Sequence, residues 1–417
     1  MPSPSPVLHS AQAGRIVADH GFVARPPSSE RLVGLEFEWL TVCLQDPEVP
    51  AAIEHVRAVA ESLALPHGSR ITYEPGGQVE LSTAPAPGLG AIEVLAADAA
   101  VLGRALAEAG IGLVAIGLEP RTHRARVVHS PRYDAMESYF DASGDAGRTM
   151  MRSTAAIQVN LDLGPPREID ERWRHTHALG PVLAAAFANS PFADGRPTGW
   201  RSTRLAVWHA IDPTRTLPAV NGVDCRQAWA RYALDADVML VRRSATEHVA
   251  LPPGLTFAEW IEHGHALGWP TPDDLEYHLG TLFPPVRPRG WLELRMVDAL
   301  PSPWWRVAGA VTATLVNDPE AAARATIATA DTAGLWDEAA RDGLSHPALA
   351  RAARECFAAA SNALARSDAT LATVDAVAEF ADRFVDRERT PADDLLDAWH
   401  RDGTLHPRFE FGQFEHA

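Results

Sequence analysis

Side chains alternate across a β-strand, so residues two apart share a face. Four stretches of this chain read as strands whose second face is polar. In Leu35-Glu36-Phe37-Glu38-Trp39 the two glutamates share one face and the three apolar residues the other. Gln78-Val79-Glu80-Leu81-Ser82 aligns glutamine, glutamate and serine in the same way. From Ile157 to Leu163, Gln158, Asn160 and Asp162 stand opposite four aliphatic residues. Leu292-Glu293-Leu294-Arg295-Met296 places a glutamate and an arginine on one side.

The wider pattern predicts the rest of the frame. A Pro/Ser-rich start and a short helical piece occupy 1–30, and the segment PPSSE leads into a strand near 32–42. Helical sequence covers 50–64, 89–109, 170–189 and 224–234, while strand-like sequence recurs at 111–118, 154–163 and 290–298. Beyond Pro303, alanine-rich helical segments run to about 387, including 347–366, with no good strand among them. Strands followed by a helical tail indicate an α+β fold rather than alternating βαβ units. No flexible linker marks the start of the tail. The expectation is therefore one catalytic domain over 1–417, with an N-terminal extension (1–30), a motif-bearing core (31–300) and a helical segment (301–400) packed on it.

Between two of the polar-faced stretches lies Tyr73-Glu74-Pro75-Gly76-Gly77-Gln78. Proline then glycine suits positions i+1 and i+2 of a type II turn, which predicts a hairpin joining 70–74 to 78–82. Glu74 would then sit at the turn mouth near Glu80. If the four stretches are neighbours, Glu36, Glu38, Glu80 and Glu293 converge on one concave surface. For any single strand the alternative is an ordinary wet sheet face, and for Glu74 an ordinary turn residue. Gathered carboxylates raise one another's pKa, and hard divalent cations such as Mg²⁺ or Mn²⁺ relieve this through oxygen ligands. An empty cluster repels itself, so neutralising Glu293 is expected to leave the ligand-free fold as stable or more so.

Composition narrows the chemistry. The 417 residues include 37 basic and 54 acidic ones, a net charge of −17, which is a poor footprint for nucleic acid or an anionic membrane. The chain contains no lysine, so every basic residue is arginine. Schiff-base chemistry and a Walker-type lysine are thereby excluded, and any anion must be held by arginine, backbone amides or metal. Cys43, Cys225 and Cys356 are far apart and form no CxxC, which argues against a disulfide framework and a cysteine zinc site. His175-Thr-His177 and His263-Gly-His265 lack a third ligand nearby. Arg204 and Trp208, four apart, read either as a helical face or as a substrate clamp. The start lacks a secretory signal's basic and apolar regions, and no apolar run approaches the roughly 18 residues of a membrane span. The expected location is the cytoplasm.

Read together, the motif blocks resemble the plant-type glutamate–cysteine ligase family. The matching text is GLEFEW at 34–39, YEPGGQVELSTAP at 73–85, MRSTAAIQVNLDL at 151–163, ANSPFADGRPTGWRSTRLAVW at 188–208 and WPTPDDLEYHLGTLFPPVRPRGWLELRMVD at 269–298. The bacterial branch associated with ergothioneine biosynthesis is the most similar in flavour. The resemblance implies a glutamine-synthetase-like catalytic fold, with a curved antiparallel sheet forming a funnel braced by helices. It implies ATP-dependent joining of the γ-carboxylate of L-glutamate to the amine of L-cysteine through a γ-glutamyl phosphate. By motif position it assigns Glu36, Glu38, Glu74, Glu80, Gln158 and Glu293 to the metal shell, and Arg287 and Arg295 to the ATP phosphates. Glu293 and Arg295 carry the catalytic role, and Arg152, Asn160, Arg204 and Trp208 hold the substrates. Met151-Arg152-Ser153-Thr154 stands where plant members carry a cysteine, and Tyr277-His278-Leu279-Gly280 where they carry an asparagine-led block. Two other readings stay open: a γ-glutamyl ligase for a different amine, and a non-catalytic regulatory member of the fold.

Overall fold

Every polar-faced stretch is a strand of one antiparallel sheet. The computed structural model describes residues 8–23, 30–220 and 224–403. Its strands are β1 (Leu32–Cys43), β2 (Arg70–Tyr73), β3 (Val79–Ser82), β4 (Ala86–Pro87), β5 (Ile111–Val114), β6 (Ala156–Asp162), β7 (Phe192–Ala193), β8 (Arg196–Pro197), β9 (Leu240–Arg242), β10 (His248–Ala250), β11 (Val286–Pro288) and β12 (Trp291–Asp298). Eight of them make the main sheet, in the order β11-β12-β6-β1-β3-β2, with β4 and β5 also paired to β1. The pairs β7–β8 and β9–β10 are separate small ribbons.

The apolar face of β1 explains where the helices go. Val33, Leu35, Phe37 and Trp39 are each at most 2% exposed. The Phe37 ring lies 6.0 Å from that of Trp305 in the helix Trp304–Asn317. Gly309 faces the Leu35 side chain, which a Cβ there would meet at an ordinary contact distance of 3.4 Å. Each large apolar side chain buried in this way stabilises the fold by roughly 1.5–3 kcal/mol. The same buried cluster continues through Phe357 and Phe380, so the helices after Pro303 share the core of the sheet.

The helices Gly90–Glu108 and Cys225–Asp235 lie within a residue of the spans read from the sequence, whereas Ile53–Ala60, Ile169–Ala186 and Pro347–Leu364 fall short of theirs by up to four residues at an end. The strand expected at 111–118 shortens to Ile111–Val114, and helical structure continues past 387 as Pro391–Asp402, opened by a Thr390/Asp393 capping box. Two helices absent from the reading, Pro131–Asp141 and Ala146–Ser153, follow the hairpin region. The first carries a start signal that was there to be read: the Ser130 hydroxyl accepts from the Tyr133 N–H, and Pro131 fills the first turn. The Pro/Ser-rich start and most of PPSSE lie outside the described residues.

The hairpin joining β2 to β3 forms, but its turn is not type II. That type needs positive φ at Gly76, whereas the left-handed residue is Gly77, with φ 84°. The Gly77 N–H donates to the Glu74 carbonyl at 2.9 Å, and the Glu74 N–H to the Gln78 carbonyl at 3.0 Å. This is a three-residue loop closed by a glycine bulge. Gly76 is needed for a different reason: a Cβ there would stand 1.8 Å from the Arg152 carbonyl oxygen.

The N-terminal helix Ser10–Gly21 packs on the helix Cys225–Asp235, and its last residue reaches the β11–β12 turn. The Gly290 N–H donates to the Gly21 carbonyl at 2.9 Å, and the Arg226 guanidinium to the Phe22 carbonyl at 2.8 Å. Among the described residues no helix is long and apolar enough to cross a membrane.

Candidate active site

Register decides what the inner face of the sheet presents. Glu38 pairs with Glu80 across β1–β3, and Glu36 with Gln158 across β1–β6. Glu293 pairs with Asn160 across β12–β6 and with Arg287 across β11–β12. Residues directly opposite share a face, so all of these project the same way. A register shift between Leu294 and Val297 places Arg295 at a bulge. This face floors a cavity of about 530 Å³.

One end of the cavity is acidic. Carboxylate oxygens of Glu38, Glu74 and Glu80 all lie within 4.8 Å of one another. The Thr72 and Ser82 hydroxyls donate to Glu80 at 2.6 and 3.1 Å. The Ala156 N–H donates to Glu38 at 2.9 Å, and the Asn160 amide to Glu36 at 3.1 Å. Burial, then the neighbouring Glu80 charge, pushes the Glu74 carboxyl up to about 7. Burial, then Glu293 and Glu80, raises Glu36 to about 7 as well. Glu38 is driven well above the carboxylate range by burial and by Glu74 and Glu80. Three converging carboxylates, two of which, Glu38 and Glu74, are pushed toward their neutral form, are the donor set of a hard divalent cation.

The other end is basic. Arg287 grips Glu293 in a fork, with Nε 2.5 Å and Nη2 3.0 Å from its two oxygens. Arg295 Nη1 donates to Glu293 at 3.1 Å, and Arg289 stands 3.6 Å from it. Burial opposes ionisation of Glu293, but Arg287 and Arg295 outweigh it and hold the carboxyl down at about 2. Neutralising Glu293 would therefore strand two buried guanidiniums. The expectation of a neutral or stabilising effect is reversed, because Glu293 stands among arginines rather than among carboxylates.

Arg204 and Trp208 lie on the helix Thr203–Ile211, which Ser202 caps. The Arg204 guanidinium sits 6.0 Å from the Trp208 ring and donates to the Arg295 carbonyl at 2.9 Å. Arg295 covers the same ring at 5.6 Å. Asp298 anchors the group, 3.6 Å from Arg204 while accepting from the Asn189 N–H and the Ser190 and Ser202 hydroxyls at 2.7–2.9 Å. Glu36, Glu38, Glu74, Glu80, Gln158, Arg204, Trp208, Arg287, Glu293 and Arg295 all line the cavity.

Arg152 and Asn160 are not among its lining residues. The Arg152 side chain pairs with Glu137, and Asn160 bridges Glu36 to the Trp291 indole, which donates at 2.9 Å. Residues that the motif reading missed also line the cavity: His20, Arg132, Tyr133, Met136, Met150 and Arg289 among them. His20 comes from the stretch read as an extension, and its ring is held below its usual pKa chiefly by burial. The His175/His177 pair is structural. His175 and His177 bond the Leu315 and Trp173 carbonyls at 2.8 Å, and burial lowers His177 to about 4.

Comparison with known proteins points in one direction. The family model described as Glutamate-cysteine ligase family 2 (GCS2) matches residues 32–410. The chain is 45% identical over 374 residues to the glutamate–cysteine ligase EgtA of Mycolicibacterium smegmatis, spanning 88% of this chain and 86% of that protein. It is 42% identical over 404 residues to EgtA of Mycobacterium tuberculosis, spanning 94% and 90% of the two. In fold it is similar to the crystal structure of the Francisella tularensis glutamate–cysteine ligase (gshA) in complex with AMP. The TM-score is 0.53 at 15% identity, covering 91% of this chain and 86% of that one.

Proposed function

The chain belongs to glutamate–cysteine ligase family 2 and is a ligase of that kind; on this premise we propose how its cavity does the work. ATP phosphorylates the γ-carboxylate of L-glutamate, forming a carboxylate-oxygen-to-phosphorus bond and releasing ADP. The amine of L-cysteine then attacks the acyl carbon, and phosphate leaves with γ-glutamylcysteine as product. The observation that carries this reading is the joint presence of a converging carboxylate trio and an arginine pole on one sheet face.

Glu38, Glu74 and Glu80 would hold Mg²⁺ (or Mn²⁺), with Glu36 and Gln158 beside them. The ion, when bound, neutralises phosphoryl oxygens as charge develops on them. Arg295 and Arg287 receive the phosphates, whose planar pairs of oxygens fit the guanidinium fork. Glu293 sits in that fork, where a triphosphate would compete for the same guanidiniums; so released, Glu293 would be available to the metal shell. Arg204 and Trp208 contact the amino-acid substrates. Arg152 and Asn160 act from outside the cavity, Arg152 by seating the Gly76 turn and Asn160 by orienting Glu36. The product feeds low-molecular-weight thiol synthesis, the ergothioneine route that the resemblance implied, and the reaction belongs to the cytoplasm.

ADP release with glutamate and a panel of amines tests the reading. Turnover with cysteine supports it. Turnover only with another amine would make the chain a different γ-glutamyl ligase, and silence with every amine would make it a regulatory member.

A further inference from the structure

Outside the cavity, one carboxylate is shared by three guanidiniums. Glu137, on the helix Pro131–Asp141, pairs with Arg152 and stands 3.6 Å from both Arg126 and Arg148. The side chains of Glu137, Arg126 and Arg152 are at most 20% exposed, whereas that of Arg148 is half in solvent. Glu137 is the one ion-pair partner of Arg152 among the described residues. None of the four lines the cavity.

What they hold is the turn between β2 and β3. The Pro75 carbonyl accepts from the Val127 N–H at 2.8 Å and from the Val128 N–H at 3.1 Å. A Cβ added to Gly77 would stand 3.0 Å from the Val127 side chain. A second segment touches the turn at Gly76, where the Arg152 carbonyl leaves no room for a Cβ. Residues 124–128 form neither helix nor strand, so side chains must fix their place. Arg124 does so at one end, its N–H donating to the Ser153 hydroxyl at 3.1 Å and its guanidinium to Glu119 at 3.0 Å. Arg126 does so next to Val127, through Glu137 and the exposed Asp134. Asp134 is screened by water, which leaves Glu137 as the stronger tie. Glu137 thus links Arg126 in one gripping segment to Arg152 in the other.

We propose that Glu137 is a positioning residue for the metal group: by linking the two segments it fixes the turn that carries Glu74. Glu74 directly precedes Pro75, whose ring fixes φ, so a displaced Pro75 carries Glu74 with it. Mg²⁺ demands near-ideal octahedral geometry at about 2.0–2.1 Å, so a small shift of one carboxylate weakens its binding. The inference rests on the reading of Glu38, Glu74 and Glu80 as the cation site.

The test is direct binding of Mn²⁺ without substrates, followed by the electron paramagnetic resonance signal of the free ion. A wild type that binds no Mn²⁺ would remove the metal reading, and this inference with it. Against a binding wild type, Glu137→Gln should weaken Mn²⁺ about tenfold or more, as supports of metal ligands do when lost. Arg126→Gln should also weaken it, and the double variant should stay within about twofold of Glu137→Gln, because the link is already cut. Arg148→Gln removes the solvent-exposed partner and should stay within about twofold of wild type. With Mg²⁺ saturating, the ATP, glutamate and cysteine KM of Glu137→Gln should move less than about threefold. Thermal melts confirm that each variant is folded at the assay temperature. If Glu137→Gln does not fold, Arg126→Gln carries the test, since it leaves Glu137 paired with Arg152. Folded variants with wild-type Mn²⁺ affinity would overturn the proposal while leaving the metal reading intact. So would equal losses in Glu137→Gln and Arg148→Gln, or a loss carried by the ATP KM at saturating Mg²⁺.

Discussion

Glu293 is the most heavily paired carboxylate of the cavity, forked by Arg287 and touched by Arg295. Removing its charge as Glu293→Gln leaves those guanidiniums buried against one another, and breaking a buried pair costs about 3–5 kcal/mol. The ligand-free variant should melt well below wild type, and ATP should recover part of the difference by supplying the missing anion. Its kcat should fall on the order of 10²–10³, the loss typical of one transition-state contact. Arg295→Lys keeps the charge but loses the planar fork, so a similar kcat loss is expected. Excess Mg²⁺ should leave that variant unchanged. Steady-state rates across a Mg²⁺ series, with melts in parallel, check both; near-normal kcat in the two variants would end the assignment. Arg204, held between Asp298 and the Arg295 carbonyl, offers a third test. Arg204→Ala should raise the glutamate KM much more than the ATP KM, and equal effects would make it a structural residue.

The β2–β3 hairpin brings the third carboxylate to the metal group, and its two glycines do separable jobs. Gly77 takes φ 84°, so Gly77→Ala strains the backbone by about 1–2 kcal/mol, lowering the melting temperature. Because the turn keeps its place, Mg²⁺ dependence should persist. Gly76→Ala collides with the Arg152 carbonyl and must move the turn that carries Glu74. The Mg²⁺ concentration for half-maximal activity should then rise steeply, and a Mg²⁺ titration that matched wild type would refute this account. What the sequence could disclose divides along similar lines. Period-two alternation marked β1, β3, β6 and β12, and once those were neighbours the inner face followed. The turn type escaped because Pro-Gly-Gly offers two positions for positive φ and the sequence does not say which glycine takes it. The Arg287–Glu293 fork escaped because β11 is only Val286–Pro288, too short to show alternation. Asn160 reads as facing the cavity by alternation alone, yet its amide is spent between Glu36 and Trp291.

Taken over the whole molecule, the two ends of the cavity respond to pH in opposite senses. Glu36 and Glu74 ionise near 4.5 when unfolded but hold their protons to about 7 when folded. Their favourable share of stability is complete below 4.5 and is lost as pH rises through 7. Glu293 does the reverse: its share is present above 4.5 and disappears as pH falls toward 2. Metal-free enzyme should therefore lose melting temperature on going from about pH 5 to pH 8, and Glu74→Gln should flatten that slope. Mg²⁺ should stabilise wild type more at the upper end, where no proton has to be displaced from the carboxyls. Melting curves with and without Mg²⁺ at each pH decide it, and a slope in Glu74→Gln equal to wild type would count against the carboxyl assignment. The same polarity has a consequence for approach. Carboxylates on β1 and β3 and guanidiniums on β11 and β12, on either side of β6, make the sheet face an electric dipole. A metal-bound nucleotide is a dipole too, positive at its ion and negative along its phosphates. The field can turn such a molecule end for end before any atom touches the wall, so the nucleotide's orientation is selected during entry and not by trial docking.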